Sequence, residues 1–166
     1  MKIQGVVPAK VINVMDPAVM GRVQVSFPIL PGNDQGYWAP VATMMAGGGR
    51  GSWFMPEVGD DVLVAFQDGD VDHPYIIGFL WNGQDQPPRS DPHKRVLQSV
   101  NGHQIEIYDP PAGSSDKGYL RIQDAYGNTI VLQDSNIAIT GVGAITINAA
   151  SILISGRPVL PLGGPI

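Results

Sequence analysis

Asp68, Asp70 and Asp72 lie two residues apart in the stretch DGDVDH, the spacing with which a calcium loop presents its first oxygen ligands. That chemistry also requires glycine at the sixth position and glutamate at the twelfth. His73 and Phe79 stand there instead, so the stretch reads as a turn joining two strands. The glycines of AGGGRG, residues 46–51, could cradle a phosphate, but the Gly-Lys-Ser/Thr ending and a strand–loop–helix setting are missing. This stretch reads as a flexible loop at a subunit contact. Asp60 and Asp61 are neighbours in sequence, which on a strand sends their side chains to opposite faces and leaves no acid–base pair. Trp38, Trp53 and Trp81 could stack on bases, yet no basic residues accompany them, and they read as core or contact residues. No nucleophile–base arrangement is visible and Cys is absent, so no catalytic, cofactor-binding or metal-binding residue is assigned. The chain reads as a non-enzyme.

The elements that would position these residues are short strands. Gly and Pro, 21 and 15 of 166 residues, recur as punctuation rather than in one block. Charged residues are only 15%, low for a soluble monomer, which implies that other chains cover much of the surface. The net charge of −5 comes with no Lys/Arg cluster, so the basic footprint of a nucleic-acid binder is lacking. The opening MKIQGVVPAKVINVMDP has no apolar segment of the secretory kind, and no apolar run approaches the roughly 20 residues of a membrane helix. Synthesis in the cytoplasm is expected.

Along residues 1–82, RVQVSFPI alternates Val23, Val25 and Phe27 against Arg22, Gln24 and Ser26, while DDVLVAFQ and HPYIIGFLW flank the DGDVD turn as a hairpin. Ala-Thr-Met-Met-Ala, residues 42–46, is the plausible helical turn. Five or six strands and one short helix in this length suggest a small closed barrel. NGQDQPPRSDP has no apolar periodicity and reads as a linker, taken as residues 83–95.

Residues 96–155 have another texture. NGHQIEIYD and YGNTIVLQD align position for position, each a glycine followed by a strand with apolar residues two apart. Ile105 and Ile107, Leu120 and Ile122, Ile130 and Leu132, and Ile137, Ile139, Ile145 and Ile147 make one-sided rows, continued by Ile152 and Ile154. The shift from odd to even positions predicts a bulge or corner near residues 149–151. The chain offers no second layer to cover these rows. Identical rows from two partner copies around a threefold axis would bury them in a trimeric β-helix or β-prism needle.

The strings GRVQVSFP, WAPVATMMAGGGRGSWFMPEVGDDVLVAFQDGDVDHPYIIGFLWNGQDQPP and NGHQIEIYD resemble the phage baseplate assembly protein V and the VgrG-type spikes of type VI secretion. The resemblance covers about residues 5–90 and continues more loosely beyond. It implies an all-β protein with an N-terminal OB-fold barrel and a C-terminal trimeric needle. Its expected role is the central spike of a contractile tail or injection-system baseplate, located in a virion or injection particle. The resemblance also implies a hub protein at the barrel end and contact with a target membrane only during puncture. The hub domains preceding the barrel in VgrG and any inserted lysozyme-like domain are missing from this sequence, which favours a minimal, non-catalytic spike.

Some spikes of that family hold iron at the tip through a His-x-His pair. His73, His93 and His103 form no such pair, and solvated or turn-capping roles suit them better than a ring of His103 about the axis. Residues 156–166 end the alternation with three prolines, which leaves Val159, Leu160, Leu162 and Ile166 as an apolar tip segment. The resemblance implies a PAAR-type cap protein docking there. Two other readings are a nucleic-acid-binding OB module with a trimerising tail, and a secreted adhesin or enzyme carrier on a β stalk.

Overall fold

The computed structural model describes residues 2–30 and 35–159. The chain divides into two compact units, Met1–Pro87 and Pro88–Ile166.

The first unit is built from alternating strands. In β1 (Val6–Asn13), Val7, Ala9 and Val11 point inward while Val6, Pro8 and Lys10 stay exposed. In β2 (Arg22–Ser26), Val23 and Val25 are fully buried, and Phe27 follows them into the core. β3 (Tyr37–Pro40) contributes Ala39. Beyond it lies a small hairpin of β4 (Ala46–Gly47) and β5 (Arg50–Gly51). β6 (Asp61–Phe66) adds Val62, Val64 and Phe66, and β7 (Pro74–Leu80) adds Ile76. The sheet order is β3-β2-β1-β6-β7, antiparallel throughout. A parallel bridge between Val41 and Ile76 joins the outer strands, reinforced by Ala42 N–H donating to Ile76 O at 2.8 Å. A first strand shared by two neighbours, with parallel closure between the third and fifth barrel strands, is the OB arrangement. Phe27 anchors the interior, 5.6 Å from the Tyr37 ring and 5.2 Å from the Phe66 ring.

The helical turn expected at residues 42–46 does not form. Thr43 Oγ1 donates to Ser52 O at 2.8 Å and Ser52 N–H donates to Met45 O at 2.9 Å, so the loop closes on its own return strand. The short helix is a 3-10 turn, Gln67–Gly69, inside the β6–β7 connection, where Asp68 and Gly69 both have positive φ.

The second unit is a five-stranded antiparallel meander. Its strands are β8 (Lys94–Gln98), β9 (Gln104–Tyr108), β10 (Tyr119–Gln123), β11 (Thr129–Gln133) and β12 (Asn136–Thr140), each paired with the next. β8 opens inside the segment read as a linker. Asp134 and Ser135, with φ of 50° and 62°, make the two-residue turn between β11 and β12. Asp124 closes the preceding turn by accepting from the N–H groups of Tyr126 and Asn128 at 2.9 and 2.8 Å. A hairpin of β13 (Leu153–Ile154) and β14 (Arg157–Pro158) follows. One chain thus forms a meander rather than the coil of a β-helix. Residues 141–152 contain no strand, so the bulge expected near 149–151 has no ladder in which to form. No described helix is long and apolar enough to cross a membrane.

Candidate functional site

The register of the meander places most of the apolar residues singled out above on one face. Ile107, Leu120, Leu132 and Ile137 are successive cross-strand partners, and Ile105, Ile122, Ile130 and Ile139 form a second row beside them. Leu97 opposes Ile105 and extends the second row onto β8, while Arg95 ends the first. With strands about 4.8 Å apart and same-face residues about 7 Å apart, the result is a stripe roughly 20 Å long and two side chains wide. It runs across the strands, not along them.

No described residue of the second unit covers it. Every described apolar side chain that is buried belongs to the barrel, and the stripe is exposed from 37% at Ile130 to 71% at Ile137, with Leu120 half-buried. Leu97, 57% exposed, was missed by sequence reasoning, although its place two residues beyond Arg95 and just ahead of a turn carried the same alternation. Ile145 and Ile147 are exposed on unpaired chain, Ile152 is half-buried, and Ile154 sits exposed in the β13–β14 hairpin. These four are not part of the stripe. Val159 is 40% exposed and donates its N–H to Ile152 O at 2.7 Å, while Leu160, Leu162 and Ile166 lie outside the described residues.

The opposite face is held by one carboxylate. Glu106 is completely buried and accepts hydrogen bonds from Arg89 Nε at 2.8 Å, Tyr119 OH at 2.7 Å and Arg121 Nη2 at 2.9 Å, with Lys94 Nζ 3.5 Å away. Burial alone pushes its carboxyl up. The Tyr119 and Arg89 hydrogen bonds and the charges of Arg121 and Lys94 outweigh this and hold it down at about 2. Arg89 also reaches Gln104 Oε1 at 2.6 Å, which straps the start of the unit across β9. Tyr119 and three cations thus share the two oxygens of Glu106, and Arg121 Nε is left buried without a hydrogen-bond partner.

The candidates for chemistry are otherwise engaged. Asp70 accepts from Asp72 N–H and lies 3.1 Å from His73 Nδ1, so the spaced aspartates tie up their own turn. His103 Nδ1 accepts from Ala125 N–H at 3.3 Å on an exposed surface. Asp60 and Asp61 border the same cleft, contrary to the opposite-face expectation, because Asp60 precedes the strand. Asp60 accepts from Glu57 N–H at 2.9 Å and Asp61 pairs with Lys10 at 3.1 Å, so neither is free as an acid or base. Trp53 and Trp81 are 73% and 70% exposed, which excludes a core role for both, and Trp38 packs under the Arg22 guanidinium. The charge asymmetry is confined to the barrel: residues 1–87 carry four Lys/Arg and nine Asp/Glu, whereas the second unit has six of each.

Residues 7–81 match the family described as the type VI secretion system/phage-baseplate injector OB domain. The type VI secretion system spike protein VgrG2a of Pseudomonas aeruginosa is 30% identical over 108 residues, covering 63% of this chain and 12% of that protein. The actin cross-linking toxin VgrG1 of Vibrio cholerae is 31% identical over 120 residues, covering 66% of this chain and 11% of that protein. Spike protein VgrG3 of Vibrio cholerae is 35% identical over 95 residues, or 54% of this chain and 9% of that protein. The chain therefore spans about a tenth of the length of the curated relatives it matches. With its barrel closed in the OB arrangement over those matched residues, the first unit belongs to this injector OB-domain family, and the chain is similar to the VgrG spike proteins.

Proposed function

We propose that the protein is the central spike of a contractile tail or contractile injection system: a homotrimer whose second units pack stripe to stripe and form the needle. One observation carries the reading, the uncovered stripe on a sheet with no core of its own. A sheet this small is marginal alone, and a narrow stripe crossing the strands suits an axis perpendicular to them, around which three copies shield one another. Each fully buried aliphatic side chain is worth roughly 1.5–3 kcal/mol, so the half-exposed residues of the stripe, repeated three times, supply the drive to assemble.

The role is mechanical. Glu106 and its cations tie β8, β9 and β10 together on the outer face, and no chemical step is assigned, so muramidase activity is not expected. The barrel would meet the hub protein. Residues 156–166, with Val159, Leu160, Leu162 and Ile166, would dock a PAAR-type tip, and the target membrane is touched only during puncture. The particle, not a membrane, is the site of residence. The acidic barrel gives no support to nucleic-acid binding. Sedimentation and negative-stain imaging of the purified chain test the proposal: the expected particle is a trimer with a slender arm, and a monomer at micromolar concentration would refute it.

A further inference from the structure

The cations of the barrel are unevenly committed. Lys10 pairs with Asp61 and Arg22 with Asp16, whereas Arg50 is exposed on β5 with no ion pair among the described residues. Its hairpin stands in apolar surroundings, with Met44 and Met45 87% and 54% exposed just ahead of it. On the same barrel lies a cleft of about 420 Å³ lined by Asp60, Asp61 and Asp85 together with Phe54, Phe79 and Trp81. Asn82 Nδ2 donates to both Asp61 and Asp85, and Lys10 is the ammonium paired there, so three carboxylates face one cation. Asn82 first, and then Lys10, holds the Asp61 carboxyl below the ordinary range.

A guanidinium fits such a cleft in two ways. Its planar fork matches carboxylates, and its flat face stacks on an aromatic ring. Phe54 and Met55 line both this cleft and the groove that holds the Arg50 hairpin, so projection and cleft are neighbours on the barrel. A head-to-tail contact between two different patches closes a ring when its rotation closes, and propagates a filament when it does not.

We propose that the Arg50 hairpin of one copy enters the Asp60–Asp61–Asp85 cleft of the next, so that the barrels close a head-to-tail ring by a contact separate from the apolar stripe. The proposal rests on the homotrimer reading and supplies its barrel-level contact. The chain has no cysteine, which makes site-directed cross-linking free of background. The full chain carrying R50C and D85C, treated with a bismaleimide about as long as an arginine side chain, is run on a denaturing gel. Most of it should move to a covalent trimer, while R50C or D85C alone stays at the monomer position. A protein that sediments as a trimer but gives only monomer on the gel overturns the hairpin–cleft contact and leaves the trimer standing. A protein that sediments as a monomer overturns both, and a ladder extending past the trimer overturns the ring. Charge reversal gives a second arm: R50E should lower the temperature at which the trimer dissociates, and R50E with D85R should restore it. Failure of the pair to restore it overturns the assigned partners.

Discussion

Ile122 sits in the middle of the stripe on the central strand β10, between Ile105 and Ile130, and is 42% exposed. If a fully buried isoleucine contributes about 1.5–3 kcal/mol, the part still in contact with water is worth about 1 kcal/mol once a partner covers it. Truncation to alanine removes most of that part in each copy, about 3 kcal/mol per trimer. The association constant should therefore fall roughly a hundredfold. Sedimentation velocity over a dilution series reads this directly, as a shift of the trimer-to-monomer midpoint for I122A. Thr140, exposed on the other face of β12, provides the control, and T140A should leave the midpoint where the parent chain has it. The barrel has its own core, so its circular dichroism should survive in both variants. An unchanged midpoint for I122A, or an equal shift for T140A, defeats the assignment of the stripe as the buried face.

Three further outcomes follow from other contacts. Glu106→Gln keeps the shape but leaves three cations without their shared charge, and should cost about 3 kcal/mol at neutral pH, the lower end for a broken buried pair. With the folded carboxyl at about 2 and its ordinary value at 4.5, the unfolded chain takes up the proton first as pH falls. The stabilisation from Glu106 is therefore complete above about pH 5 and fades toward pH 2, and urea midpoints of E106Q should lose that slope; a slope like the parent's contradicts the account. Asp16 accepts from the N–H groups of Ala18, Met20 and Arg22 and from the Arg22 side chain, which holds its carboxyl far below the ordinary range. D16N should therefore speed hydrogen exchange at those three amides, and unchanged protection would dismiss the latch. Gly36 has φ of +62°, and an added Cβ would lie 2.6 Å from Ile12 Cδ1 and 2.8 Å from Val25 O. G36A should cost roughly 2–3 kcal/mol from strain and overlap, and a melting temperature equal to the parent's would show that the site relaxes.

Where two residues of a strand share one environment, the sequence could be read well. Val23, Val25 and Phe27 alternate in sequence and are buried in the barrel, and the aligned NGHQIEIYD and YGNTIVLQD strings became β9 and β11, both paired with β10. Contacts that join distant segments left no trace in spacing. Arg89 meets Glu106 across 17 residues, and the Val41–Ile76 bridge that closes the barrel joins two segments of unlike texture. The Ala-Thr-Met-Met-Ala stretch favoured a helical turn locally, yet Ser52 and Thr43 tied it into a loop, because tertiary hydrogen bonds outrank a few tenths of a kcal/mol of propensity. Ile145 and Ile147 show the converse limit. Their alternation is plain in the sequence, but a row of side chains does not specify which backbone will pair with it.

The direction of the stripe bears on how the second unit responds to load. Its backbone hydrogen bonds point along the stripe, from Leu97 on β8 to Ile139 on β12, because the strands lie across it. A thrust along that line presses each strand onto the next and shortens contacts already close to their repulsive limit. A pull along the same line opens the hydrogen bonds of one strand pair at a time, beginning at an edge strand, β8 or β12. By this geometry the meander resists a push along the stripe better than a pull.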